Sequence, residues 1–202
     1  MNKVNIINNA EEDLNVIINS VDGVIQVIIE KKMDVNLLSL KVGDIFNMDN
    51  VEYIVLEQLE GNQTAIIRKE VLEESMKFDS DNNNWKTSSI RRYLNDEYLR
   101  EIENVFGRER IIEHIVDLLS LDGLDDYGVS TDKVSFLTID QYRKYRKALN
   151  GNLENCWWLI TPDSTASGNS TFYVQFVDSD GGVGCDHCGC GVGVRPFFIV
   201  QS

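Results

Sequence analysis

The spacing of apolar residues divides the chain into runs of period two and runs of period near four. Asn15-Val16-Ile17-Ile18-Asn19 and Val24-Ile25-Gln26-Val27-Ile28-Ile29 are β-branched stretches on either side of Asp22-Gly23, a dipeptide that favours a two-residue hairpin turn. An amphipathic helix from Glu11 onward is the competing reading, and Gly23 and the density of β-branched side chains weigh against it. Val51–Leu56 and Gln63–Ile67 repeat the hairpin pattern across Glu60-Gly61-Asn62. The period changes after the polar Asn82-Asn83-Asn84. Ile90, Leu94, Tyr98 and Ile102 fall four apart, which predicts a helix capped by Thr87, Ser88 or Ser89 and divided near Asp96. Arg110–Leu118 reads as a strand, with Ile112, His114, Val116 and Leu118 on one face and Ile111, Glu113, Ile115 and Asp117 on the other. A loop from Asp122-Gly123 to Gly128, a short strand Lys133–Leu137 and a helix from Thr138, with Gln141 in the capping-box position, come next. Beyond Asn150-Gly151 the pattern is strand and loop.

That last stretch is bracketed by the two most apolar motifs of the chain, Trp157-Trp158-Leu159-Ile160-Thr161-Pro162 and Gly193-Val194-Arg195-Pro196-Phe197-Phe198. Between them, residues 161–192 are rich in Ser, Thr, Asn, Asp and Gly. A rigid apolar floor carrying a long polar loop system is a common way to build a binding face. Neighbours on a strand point to opposite faces, so one tryptophan is expected in the core and Trp158 near the ligand. The expected contacts are Trp158, Asp163, Ser164, Asn169, Tyr173, Gln175, Asp178, Asp180, Asp186 and His187.

The 202 residues carry 43% hydrophobic positions, enough for a core without staples. A formal charge of −14 argues against binding nucleic acid or an anionic membrane surface, both of which need basic patches. The charge is uneven. Ten acids face three bases from Asp96 to Asp126, whereas five bases face one acid from Lys133 to Lys147. No apolar run approaches the ~20 residues of a membrane span. Met1-Asn2-Lys3-Val4-Asn5 does not open a signal peptide, so a cytoplasmic or particle-associated, virion-borne protein with reduced cysteines is expected.

Several motifs, in this order, carry a family likeness: Leu40-Lys41-Val42-Gly43-Asp44, Asn84-Trp85 through Arg91-Arg92-Tyr93-Leu94-Asn95, Asp132-Lys133-Val134-Ser135-Phe136-Leu137-Thr138, Trp157-Trp158-Leu159, Asp178-Ser179-Asp180-Gly181 and Gly193-Val194-Arg195-Pro196. Residues 40–200 thereby resemble domain of unknown function 6273. That family is common in gut Gram-positive bacteria, their phages and mobile elements, and has no assigned enzymatic activity. The C-terminal part also resembles the C-type-lectin-like fold, in which a Trp-rich strand precedes a final strand led by a Gly-hydrophobic-Arg motif. The resemblance implies an α+β, C-type-lectin-like domain at residues 40–202. Residues 1–39 lie outside it and form a small N-terminal β-hairpin appendage that packs on the main domain or on a partner chain, a second copy included.

Candidate chemistry is sparse. Cys185-Asp186-His187-Cys188-Gly189-Cys190 holds three thiols and an imidazole, but zinc sites draw ligands from separated knuckles, so a variable loop with incidental cysteines is expected. Asp178-Ser179-Asp180-Gly181 lacks the alternating run and distal glutamate of a calcium loop and reads as a hairpin turn. Glu113 and His114 point to opposite faces and cannot act together. No serine sits in a nucleophile elbow and no Gly-rich phosphate loop precedes a helix. Arg195 is expected to pair with a buried acid or with carbonyls. The reading is a non-catalytic module for a protein or glycan ligand, without metal or cofactor. An acidic antagonist of a basic host protein, using Asp96 to Asp126, and a metal protein or enzyme using Cys185–Cys190 are the alternatives.

Overall fold

The computed structural model describes residues 14–21, 24–31, 35–149 and 155–202. Leu14–Val21 (β1) pairs antiparallel with Val24–Lys31 (β2), as the β-branched runs predict, and Val21 stands opposite Val24. The Asp22-Gly23 turn, the start of the competing helix at Glu11 and the Asn150-Gly151 junction lie outside the described residues. Ile18 pairs with Val27, and both are exposed together with Val16.

The main domain is α+β. Its elements are Ile45–Met48 (β3), Val51–Leu59 (β4), Gln63–Arg68 (β5) and Met76–Lys77 (β6), then a helical region in three parts. These parts are Ser89–Tyr93 (α1), a π turn over Leu94–Tyr98, and Leu99–Phe106 (α2). Ile111–Ile112 (β7), His114–Asp117 (β8), Val129–Asp132 (β9), Val134–Ser135 (β10) and Ile139–Leu149 (α3) follow. Trp157–Pro162 (β11), Tyr173–Val177 (β12), Val183–His187 (β13), Gly191–Val192 (β14) and Phe197–Gln201 (β15) complete the chain.

The central sheet runs β10-β15-β5-β4-β3, antiparallel throughout, with β7 also on β15. A second sheet is β11-β12-β13, and β14-β6 and β8-β9 are short pairs. Strands β4, β5, β11 and β15 have continuous apolar stretches because both faces are covered there. Tyr53, Val55, Ile66, Trp158, Ile160, Phe198 and Val200 enter one core. Their neighbours Ile54, Leu56, Ala65, Ile67, Trp157, Leu159 and Phe197 enter a second. The helical region from Ser89 to Phe106 packs in the first core, and α3 in the second.

Both helical regions follow their sequence signals. Ser88 caps α1, its hydroxyl accepting from the Arg91 amide at 3.2 Å. Ile90, Leu94, Tyr98, Ile102 and Phe106 are all buried. A four-residue repeat runs about 40° past each turn of a 3.6-residue helix. A π turn holds more residues per turn and takes up that drift, so the apolar row stays on one face. The expected division near Asp96 is therefore a widening rather than a break. Asn95 exploits it: its amide donates to the Val134 carbonyl at 2.8 Å and its oxygen accepts the Lys133 and Val134 amides. At α3 the capping box is reciprocal, with the Thr138 amide donating to Gln141 Oε1 at 2.9 Å and the Gln141 amide to Thr138 Oγ1 at 3.1 Å.

Two expectations need correction. The Arg110–Leu118 strand is split at Glu113, and Ile111, set on the same face as Glu113 and Ile115, is buried opposite Val200 on β15 while those two are exposed. The polar Val129–Asp132 segment, for which the pattern predicts no element, is a strand paired with β8. Trp157 and Trp158 do point to opposite faces, but both are core, at 2% and 0% exposure. Trp157 meets Tyr142 edge-on at 5.7 Å. Trp158 meets Phe78 at 6.0 Å and donates its indole N–H to the Met76 carbonyl at 2.9 Å.

Replacement of either tryptophan by alanine is expected to destabilise the protein by about 3–5 kcal/mol, the range for emptying a large aromatic from a core. Urea unfolding of the two variants checks this, and a near-neutral Trp158→Ala would contradict its burial.

Candidate functional site

The hairpin of β12 and β13 carries most of the predicted contacts, and its register sorts them. Tyr173 pairs with His187, Gln175 with Cys185 and Val177 with Val183 on one face; Val174 pairs with Asp186 and Phe176 with Gly184 on the other. Val177 is core. At that end the turn is fastened to α3: the Tyr142 hydroxyl donates to the Gly181 carbonyl at 2.7 Å, and Arg146 donates to the same oxygen. Asp178 and Asp180 cap their own turn, accepting the amides of Ser179 at 2.7 Å and Gly182 at 2.6 Å. Gly181 takes a positive φ of 79° there, which favours glycine. The segment is thus the hairpin turn its sequence predicts.

The opposite end of the hairpin, about 13 Å along the strand at ~3.3 Å per residue, is aromatic and open. Phe172 and Tyr173 are 44% and 42% exposed. The His187 ring stacks on Phe172 at 5.5 Å with 7° between planes and meets Tyr173 edge-on at 6.0 Å. The Gly189 amide donates to His187 Nδ1 at 3.0 Å, which fixes the ring. Asp163 is half-buried beside this face and accepts from Gln175 Nε2 at 2.9 Å.

The ten predicted contacts therefore separate. Asp163 and Asn169 keep some exposure in the loop beside the open end, as do Tyr173, Asp186 and His187 on its strands. Asp178 and Asp180 are exposed at the far turn. Trp158, Ser164 and Gln175 are buried, at 0%, 1% and 3% exposure, and cannot serve as surface contacts. Ser164 and Gln175 are polar because they close hydrogen bonds inside the loop, which their sequence context did not separate from ligand contacts. Sequence reasoning also passed over Phe172. Its signal was available: an aromatic pair, Phe172-Tyr173, directly after polar Asn169-Ser170-Thr171.

The loop after β11 is held by the acidic segment. Ser164 Oγ donates to Asp122 Oδ2 at 2.6 Å, and Thr165 Oγ1 and the Ser167 amide donate to Asp126 Oδ2 at 2.7 and 3.0 Å. Buried Asn83 adds a second fastening: its amide donates to the Ser164 and Tyr173 carbonyls, both at 2.9 Å, and its oxygen accepts from the Tyr127 hydroxyl at 2.8 Å. A Cβ at Gly168 would come within 2.2 Å of Ser164 Oγ, so the loop closes only with glycine there. Hydrogen bonds from Ser120 and Ser164 hold the Asp122 carboxyl below its usual range, and those from Thr165 and Ser167 do the same for Asp126.

The cysteines are dispersed in environment. Cys188 is fully buried in the first core, whereas Cys185 is exposed. Burial, then the charges of Asp163 and Asp186, push the Cys185 thiol up. Burial and Asp79 do so for Cys188, and a hydrogen bond with Asp186 for Cys190. Among the described residues no group of three or more His, Cys, Asp or Glu side chains is arranged to hold a metal ion. His114 is buried enough to push its imidazole down, and its Nε2 lies 2.9 Å from Ser135 Oγ, while Glu113 is exposed. Arg195, 2% exposed, donates from Nε to the Arg68 carbonyl at 2.9 Å and lies over the Trp157 ring at 4.9 Å, and burial pushes its pKa down to about 10. It is thus bonded to a carbonyl, one of its two expected partners.

No family model, curated protein or solved structure matches this chain. Among the described residues, no helix is long and apolar enough to cross a membrane.

Two outcomes follow from the charges. Asp122 and Asp126 have depressed values in the fold, so their contribution is full above the ordinary aspartate range of about 3.9 and lost as pH falls below it. Amide protection factors at residues 164–168 should hold down to about pH 4 and drop below it while those of β4 and β5 persist; uniform protection would contradict the fastening. A raised thiol value means less thiolate at a given pH. Iodoacetamide should therefore alkylate Cys185 more slowly than free cysteine near pH 8 in a mass-spectrometric time course, and faster reaction would show an activated thiol.

Proposed function

We propose that the chain is a non-catalytic recognition module that takes a protein or glycan ligand at the Phe172–Tyr173–His187 end of the β12–β13 hairpin. The observation that carries this reading is an aromatic trio, Phe172 and Tyr173 exposed and His187 half-buried, on a strand pair anchored to the core along its other end. Exposed aromatics offer large contact area for little lost rotamer freedom, and neighbouring amides and carboxylates fix orientation. Asp163, Asn169 and Asp186 supply such groups nearby. The raised thiols of the cysteine loop favour inert side chains over a nucleophile or metal ligands. The Trp-rich β11 and the Gly193-Val194-Arg195 lead into β15 are compatible with a C-type-lectin-like domain. The resemblance to a family common in phages and mobile elements supports a role on a particle or in the host cytoplasm.

The competing acidic antagonist would use exposed carboxylates such as Glu101, Glu109 and Glu113. Asp122 and Asp126 must be left out of any test of it, because neutralising them releases the candidate loop itself. Ligands are sought on a glycan array and by pulldown, then rechecked with variants. Phe172→Ala with Tyr173→Ala should weaken binding by about ten-fold or more, equivalent to ~1.4 kcal/mol. Glu101→Gln, Glu109→Gln and Glu113→Gln together should leave it unchanged. The reverse pattern, with binding that fades steeply in salt, establishes the antagonist instead.

A further inference from the structure

A further concave surface lies along the first turns of the helical region. It is a cavity of about 580 Å³ whose lining includes Lys86, Arg91, Arg92, Asn95 and Asp96. Its charge runs against that of the whole chain. Residues 84–95 contain three cations and no acid, in a protein whose formal charge is −14. The one acid at the rim, Asp96, is paired with Arg100 at 2.6 Å.

The three cations differ in how they are held. Arg91 is fixed by Asp132, whose side chain is 1% exposed: Nε reaches Oδ1 at 2.8 Å and Nη2 at 2.7 Å. The other carboxylate oxygen of Asp132 accepts from Trp85 Nε1 at 2.8 Å and from Ser130 Oγ at 2.5 Å. A buried, fully bonded carboxylate thus sets the arginine in place before any ligand arrives, which lowers the entropy lost on binding. Lys86 is exposed beside the turn into β9, where a Cβ on Gly128 would lie 3.9 Å from its Nζ. Lys86 and Arg92 have no carboxylate partner among the described residues. One oriented arginine with two unneutralised cations around a concavity matches a compact oxyanion carrying two charges.

The backbone amides of the helix start are not what would bind it. The Arg91 amide is already taken by Ser88 Oγ, and the Ser89 amide by Asp79 Oδ1. Recognition would rest on the side chains. We propose that this cavity binds a tetrahedral dianion, a phosphate monoester on a small ligand. The negative field of the remaining surface disfavours an extended polyanion, so the charge taken is confined to one group. This site is independent of the hairpin reading and stands or falls separately.

The test uses the full chain, isotopically labelled, titrated with inorganic phosphate and with sulfate at constant ionic strength and followed by amide chemical shifts. Saturable shifts confined to residues 86–96 and their neighbours in β9 are expected, absent with chloride. Lys86→Gln with Arg92→Gln, both at exposed positions, should keep the spectrum of the fold and weaken binding by about ten-fold or more, as loss of charge-assisted hydrogen bonds does. Phosphate should bind less well as pH falls and its dianion takes up a proton, and sulfate, which stays a dianion, should not. Shifts that never saturate, that chloride reproduces, or that survive in the double variant overturn the proposal.

Discussion

The fold depends on the burial of β11 on both of its faces. Trp157 and Trp158 leave the same strand in opposite directions, and each is received by a different core. On one side, Tyr142 of α3 and the buried Arg195 close over Trp157. On the other, Phe78 and the Met76 carbonyl receive Trp158. The strand also has to approach the final segment closely. The Trp158 amide donates to the Gly193 carbonyl at 3.0 Å, and a Cβ on Gly193 would stand 2.4 Å from the Cys156 carbonyl oxygen. A strand trapped in this way is a stiff base for the hairpin β12–β13, which pairs directly with it.

That stiffness is spent unevenly along the hairpin. Its turn is fastened to α3, and its middle is buried through Val174, Gln175 and Val177. The Tyr173–His187 end carries the hairpin's aromatic surface, joined there by Phe172. The loop beside it has little apolar support and is instead held by carboxylates from the acidic segment. The excess of acids between Asp96 and Asp126 is therefore partly structural: Asp122 and Asp126 serve the loop, while Glu101, Glu109 and Glu113 remain on the surface. Local charge balance says little about function until these two groups are separated.

Local pattern in the sequence carried the hairpins, the four-residue apolar row and the capping box, because each depends on residues close together in the chain. Contacts between distant segments were not legible in this way. Val129–Asp132 is polar and short, and only its pairing with β8 makes it a strand. Nothing local to Ser164 or Asp122 reveals that they meet. The burial of Trp158 is a different case. The continuous apolar run from Trp157 to Ile160 is itself the signal of a strand covered on both faces, and an alternating reading overlooked it. The same preference for alternation hid Phe172, which is exposed beside an exposed neighbour.

The open end of the hairpin is the part of this protein on which its recognition role turns. Hydrogen–deuterium exchange of the full chain, with and without a ligand from the array or pulldown, tests that placement most directly. Slowed exchange at residues 172–173 and 183–190, with residues 97–117 unchanged, is the predicted result. Protection confined to residues 97–117, with the hairpin unaffected, would contradict it.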